Sequence, residues 1–347
     1  MEARLATAPG NAAAAVRLAD ALLRQARVLG NAGLAVRAER VLLLSLASDP
    51  DRYDARRMLA AALLSQHRFR AAIREAERCL QIKPNDAWPY GVMGDGHLEL
   101  GEYDAAFAAF DRMAAQRPDA ASYARVSYAR ELRGDLNGAV RLMHMAVEAT
   151  SPNDPESLAW HRVQLGGLAL ARGRLDAAGR EYAHAAQIFP EHPMAVEGLA
   201  RVALARRRPT QALALIESIL ASAPTPDRLA FSAELLRALN RTTDATRREA
   251  LAEAAWRADA PEPAKLALFL ADRGRNLDEA VRLAESAARD RRDIFTADAL
   301  AWTYYRAGRL DEAEAASARA VRTGSRDAGI RAHAASITRA IKARGRQ

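Results

Sequence analysis

The chain has 347 residues, 50% hydrophobic but only 5% aromatic, and its 51 basic and 43 acidic side chains leave a net charge of +8. A single cysteine, Cys79, excludes an internal disulfide and any cysteine-rich metal site. No uncharged apolar run approaches the ~18–20 residues that cross a bilayer, and nothing alternates in the manner of a strand, so the chain reads as almost wholly helical.

The first predicted helix runs from about Ala12 to Gly30, with Val16, Leu22, Leu23 and Leu29 as its apolar side. A periodic pattern then takes over. Alanine recurs at Ala38, Ala72, Ala106, Ala139, Ala178, Ala212 and Ala313, in steps of 34, 34, 33, 39 and 34 residues followed by a gap of 101. Twelve residues before each stands a small residue: Ala26, Ala60, Gly94, Ser127, Gly166, Ala200 and Ala301. Twelve after it comes proline in five copies: Pro50, Pro84, Pro118, Pro190 and Pro224. Two antiparallel helices cross tightly only where both carry small side chains, and proline ends the second helix. The units so aligned are 19–52, 53–86, 87–120, 120–153, 159–192, 193–226 and 294–327.

Glycine closes the first helix in several units, at Gly101, Gly134, Gly173 and Gly308. Between the fourth and fifth units, Ser151-Pro152-Asn153-Asp154-Pro155 adds about five residues. Asp154 and Pro155 read there as N-cap and first helical residue of a lengthened helix, which brings Trp160 to the surface. The stretch 227–293 is worn: Ala245 and Ala280 keep the key place, a second helix runs long to about Ala258, and Pro261 and Pro263 follow. A hinge in this stretch and plain sequence drift are both open. After the last unit, residues 328–342 put Ile330, Ala334, Ile337 and Ile341 on one side of a capping helix, which an array needs to cover its final apolar face.

The alanine, small-residue and proline pattern resembles the tetratricopeptide repeat (TPR) family. Two blocks, residues 123–135 and 298–302, are in addition similar to a bacterial TPR subfamily of no known activity. The expected fold class is all-α: a right-handed α-solenoid of about nine TPR-like helix pairs with a C-terminal capping helix, one solenoid over 1–347. The resemblance implies that stacked first helices line a concave groove. Read onto this chain, the groove positions are Arg57, Trp88, Asp95, Glu99, Tyr128, Glu131, Trp160, Glu197, Arg201, Asp298, Trp302, Tyr305 and Arg306. Trp88, Asp95, Tyr128, Glu131, Trp160, Trp302 and Tyr305 are the candidate partner-binding residues, since exposed aromatics anchor partners. The alternative for the rings is that they fold back onto a neighbouring repeat. The clamp by which chaperone-binding members grip a terminal carboxylate is not expected, because its asparagines are absent and Asp95 intrudes.

Catalysis finds little support. The seven histidines form no metal-binding spacing, Gly94-Asp95-Gly96 lies inside a predicted helix rather than after a strand, and no serine sits in a nucleophile elbow. The expectation is therefore a scaffold for a protein or peptide, with no enzyme activity, metal, cofactor or small-molecule substrate. Charge placement defines the competing reading. Residues 319–347 carry Arg319, Arg322, Arg326, Arg331, Arg339, Lys342, Arg344 and Arg346 against Asp327 alone, while the rest is close to neutral. In that reading the basic end docks to an anionic partner, nucleic acid or acidic lipid, with the array as a spacer; the near-neutral body disfavours a body-wide nucleic-acid surface, and nucleic acid or a membrane surface is the less expected partner. As it stands the sequence reads as soluble and cytoplasmic, or as extracytoplasmic if Met1 replaces a removed signal peptide. Oligomeric state is open, self-assembly through the ends included.

Overall fold

Proline and small residues decide where these helices stop and where they touch. The structure, a computed structural model, describes residues 12–29, 31–190, 192–258 and 263–345. The Leu29 side chain, Gly30, Pro261 and Arg346, named above, lie outside those residues. Among the described residues there are 19 helices and no strand. They form nine consecutive antiparallel pairs and a final single helix, the pairs stacking as an α-solenoid of TPR-like repeats.

The pairs are α1 (Ala12–Leu29) with α2 (Ala32–Ser48), α3 (Tyr53–Ser65) with α4 (Phe69–Ile82), and α5 (Trp88–Glu99) with α6 (Tyr103–Gln116). There follow α7 (Ala120–Leu132) with α8 (Leu136–Ala149), α9 (Pro155–Ala171) with α10 (Leu175–Ile188), and α11 (Pro193–Ala205) with α12 (Pro209–Leu220). The last are α13 (Pro226–Ala238) with α14 (Thr242–Ala258), α15 (Pro263–Asp272) with α16 (Leu277–Asp290), and α17 (Ile294–Arg306) with α18 (Leu310–Ala320). The single helix is α19 (Ala328–Arg344). The chain forms two compact units, Met1–Arg125 and Val126–Gln347, with the boundary inside α7.

In unit 1 the core is built on Leu22, Leu23, Leu42, Leu59 and Leu63, with fully buried Ala38, Ala60 and Ala72 between them. The predicted crossing shows directly in the third pair. Ala106 is fully buried, and a Cβ placed on Gly94 would stand 2.2 Å from a Phe110 ring carbon. Glycine lets the ring of α6 lie flat on the backbone of α5. Cys79 is also fully buried, and burial pushes its thiol up to about 11, so it packs as a small apolar side chain.

Unit 2 repeats the device with variations. In the fourth pair the twelve-residue spacing becomes a bond: Ser127 Oγ donates to the Ala139 carbonyl at 2.7 Å. In the fifth and sixth, one ring serves two helices, because Tyr182 lies against both Gly166 and Gly198. Asp154 caps α9 through the Ser157 amide at 3.2 Å, with Pro155 at the helix start, and α9 is lengthened to 17 residues as expected.

The worn stretch keeps the period in its backbone. A left-handed residue ends the first helix of every pair from the second to the ninth: His67, Gly101, Gly134, Gly173, Arg207, Asn240, Gly274 and Gly308. Ala245 and Ala280 are fully buried, as at the other crossings. What differs is chemistry. The Glu249 carboxylate, buried on α14, accepts from Arg237 at 3.0 and 2.8 Å and pairs with Arg273 at 3.0 Å. An extra left-handed residue, Asn276, lengthens the turn before α16. The capping helix buries Ile330 and Ile337 and packs Ile341 against the last core cluster.

Because the third pair closes on fully buried Ala106, Ala106→Leu is expected to overpack the crossing and lower stability by ~1–3 kcal/mol in thermal or denaturant unfolding. An unchanged unfolding curve would contradict this packing.

Candidate functional site

Seven of the first helices carry, eighteen residues before the buried alanine of their pair, a side chain at one repeat position near the helix start. That position holds Asp54, Trp88, Ala121, Trp160, Met194, Asp227 and Phe295. In unit 1 Asp54 and Ala121 are exposed, and the one large side chain at the position, Trp88, is partly buried. The Trp88 amide is fixed by Asp86 at 2.9 Å, its ring packs on the first core cluster, and the Arg57 guanidinium lies 4.6 Å from the ring centroid. Trp88 and Arg57, both expected in the groove, thus satisfy each other.

In unit 2 the same position is turned outward. Trp160 is 39% exposed, Met194 42% and Phe295 45%. The Trp160 ring meets the ring of His161 edge-on at 5.1 Å. His161 is buried and bonded to Thr150 Oγ1 at 2.9 Å; desolvation pushes its pKa down to about 4, so it is a neutral support at physiological pH. Tyr128, on the preceding first helix, is 37% exposed. Met194 and Phe295 were not among the residues the sequence pointed to, since neither is a tryptophan, a tyrosine or a charged side chain. The constant offset from the alanine would have found them. Asp227 interrupts the series, paired with Lys265 at 3.2 Å.

The charged candidates are mostly engaged within the chain. Asp95 holds Arg125 through contacts of 2.7–3.1 Å, so the arginine is neutralised and a carboxylate clamp has no free cation there. Glu197 pairs with Arg201 at 2.8 Å and with Arg228 at 3.2 Å, while Arg201 also covers the Phe231 ring at 4.7 Å. Glu131 differs. It is half-buried, and desolvation first, then the field of Asp327, pushes its carboxyl up to about 7.

Trp302 and Tyr305 lie in a stack under the capping helix. The indole rests on Tyr305 at 5.1 Å and on His333 of α19 at 4.1 Å, and its Nε1 donates to Asp272 at 2.8 Å. His333 Nδ1 bonds buried Asp298 at 2.9 Å. These rings therefore join the cap to the ninth pair rather than stand open. The basic end is partly tied down too: Arg344 pairs with Asp311 at 2.5 Å, and Arg322 donates to the Arg292 carbonyl. Among the described residues no cluster of His, Cys, Asp and Glu could hold a metal ion, and no helix is long and apolar enough to cross a membrane. Among α12, α13 and α14 lies a cavity of about 470 Å³, lined by Leu213, Leu236, Arg247 and Leu251 among others.

The stack makes stability depend on pH. Burial works against a charge on His333, but the hydrogen bond and field of Asp298 outweigh it and hold its pKa above the ordinary 6.5. The folded state thus favours the imidazolium. Its contribution is full below 6.5 and is lost as pH rises through the raised value. Melting temperatures between pH 5 and 9 are expected to show this fall in the natural chain and a smaller one in Asp298→Asn.

Comparison with known proteins agrees with this architecture. The tetratricopeptide repeat family model matches residues 63–127 and 169–238. A curated relative, cellulose synthase 1 operon protein C of Komagataeibacter xylinus, is 26% identical over 210 residues, which is 58% of this chain. The chain spans only 16% of that relative's length. Among solved structures, the human IFIT1 dimer with PPP-AAAA superposes with a TM-score of 0.56 at 13% identity, over 85% of this chain and 70% of that one. The Cut9–Hcn1 hetero-tetramer of APC/C gives 0.52 at 12% identity, over 91% of this chain and 55% of that one. At such identities the likeness is one of fold. Repeat period, helix pairing and the family match over residues 63–127 and 169–238 agree: the chain carries tetratricopeptide repeats.

Proposed function

We propose that the chain is a non-catalytic scaffold that binds an extended segment of a partner protein on the first-helix face of unit 2, with Trp160 and Met194 as its anchors. The observation that carries this reading is the exposure of both side chains at the same repeat position of adjoining helices. A large apolar side chain held in water is unfavourable at each occurrence. Its repetition, beside exposed Tyr128 on the preceding first helix, gives a strip that apolar residues of an extended peptide can cover. Trp88, Trp302 and Tyr305 are saturated by intramolecular stacking and enter this reading as structural rings. The mixed, internally paired charges beside the strip favour an apolar rather than a highly charged segment.

The test is selection from a random peptide library against the intact protein, followed by titration of the enriched peptides. Trp160→Ala and Met194→Ala are each expected to cost at least ~2 kcal/mol of peptide affinity with little change in melting temperature. Trp302→Ala should do the reverse, lowering stability while leaving affinity intact. Enriched peptides that bind Trp160→Ala as tightly as the natural chain would contradict the assignment.

A further inference from the structure

Two turns far apart in the sequence meet within unit 2. Gly134, at the end of α7, and Gly324, between α18 and α19, are both left-handed, with φ of +76° and +79°. A Cβ on Gly134 would stand 2.5 Å from the Gly324 carbonyl oxygen and 3.5 Å from Arg326 Cγ. One on Gly324 would lie 3.7 Å from the Arg133 carbonyl oxygen. Backbone here lies against backbone, with no room for a side chain at Gly134. Neighbouring repeats do not make this contact; it joins the fourth pair to the segment that follows the ninth.

We propose that this contact is a seam that opens and closes, joining the two ends of unit 2, with the Glu131–Asp327 carboxylate pair deciding between the states. Glu131 lies one turn before Gly134 on α7, and Asp327 follows Gly324 as the N-cap of α19, its Oδ1 accepting from the Ile330 amide at 2.9 Å. The cap role keeps Asp327 in place, and its charge is felt at Glu131. Other charged groups around Glu131 come from three elements. On α7 and its turn are Arg130, Arg133 and Asp135, with Arg130 held by Asp135 at 3.2 Å. On the facing segment are Arg322 and Arg326, the first donating to the Arg292 carbonyl. On α19 are Arg331 and His333, the latter engaged by Asp298. Among the described residues no cation pairs with Glu131, so closure leaves two carboxylates facing each other.

The sign follows from that arrangement. Closed, Glu131 holds its proton up to about pH 7; opened to water, it returns toward its ordinary 4.5. The closed form therefore binds more protons. Its advantage is full below 4.5 and is lost as pH rises through about 7. Because the seam ties the first helix of unit 2 to its last, its state sets the curvature of the helix pairs between them.

The test is a distance measurement by pulsed electron paramagnetic resonance. Spin labels at Asn137→Cys and Ala328→Cys, both exposed, flank the seam; Cys79→Ala removes the buried thiol at a place where other repeats have alanine. The natural seam is expected to give one short distance at pH 5 and a second, longer one at pH 8.5, the open fraction rising by at least about tenfold. Glu131→Gln should give the short distance at both pH values, and Asp327→Asn, which keeps the cap but leaves Glu131 desolvated, should need a higher pH to open. Gly134→Ala should give the long one at both. A short distance unaffected by pH, or a pH response that survives in Glu131→Gln, would overturn the proposal.

Discussion

Everything in this chain depends on how closely two helices can approach at one point in each pair. An alanine with no exposed surface sits at each of nine crossings, from Ala38 to Ala313, Ala245 and Ala280 included. Against it the partner helix presents glycine, alanine or serine. Where glycine is used, as at Gly94 or Gly166, the space is filled by a ring from the second helix, Phe110 or Tyr182. Close approach maximises dispersion contact and leaves the outer faces of the pair free to meet the next pair. The left-handed turn residue then follows of necessity, because a short connection cannot reverse the chain otherwise. Glycine fills it four times in the regular repeats, but His67, Arg207 and Asn240 accept the same conformation, so the packing outranks the local preference.

This hierarchy explains what the sequence made legible. Period, helix pairing, the capped start of α9, the long α14 and the capping helix are written in residues whose effect is local or repeats. The worn stretch is irregular in sequence because its closing proline is gone and one of its turns carries an extra residue. Its alanines were present, and the backbone shows that Asn240 and Gly274 hold the turn position. The buried carboxylate between Arg237 and Arg273 depends on which helices adjoin, and no pattern along the chain displays that.

The candidate face was only half legible for the same reason. Trp88, Trp160 and Met194 occupy one repeat position, yet Trp88 is covered by Arg57 while the other two stand out. The difference lies in a guanidinium on the neighbouring helix. Trp302 looked like an anchor until His333, on the capping helix, closed over it. A ring at a groove position is thus a binding residue only where the array supplies nothing to cover it. By that criterion the proposed recognition strip falls on Trp160 and Met194, and the aromatic stack at Trp302 belongs to the cap.

If stability is a sum of neighbouring crossings rather than the property of one core, damage must stay local. Native-state hydrogen exchange, read helix by helix, measures this directly in Ala178→Leu, which overpacks the fifth pair. The account predicts lost protection in α9 and α10 and in the pairs beside them, with α1–α4 and α15–α18 exchanging as in the natural chain. Uniform loss of protection over the whole chain would contradict it.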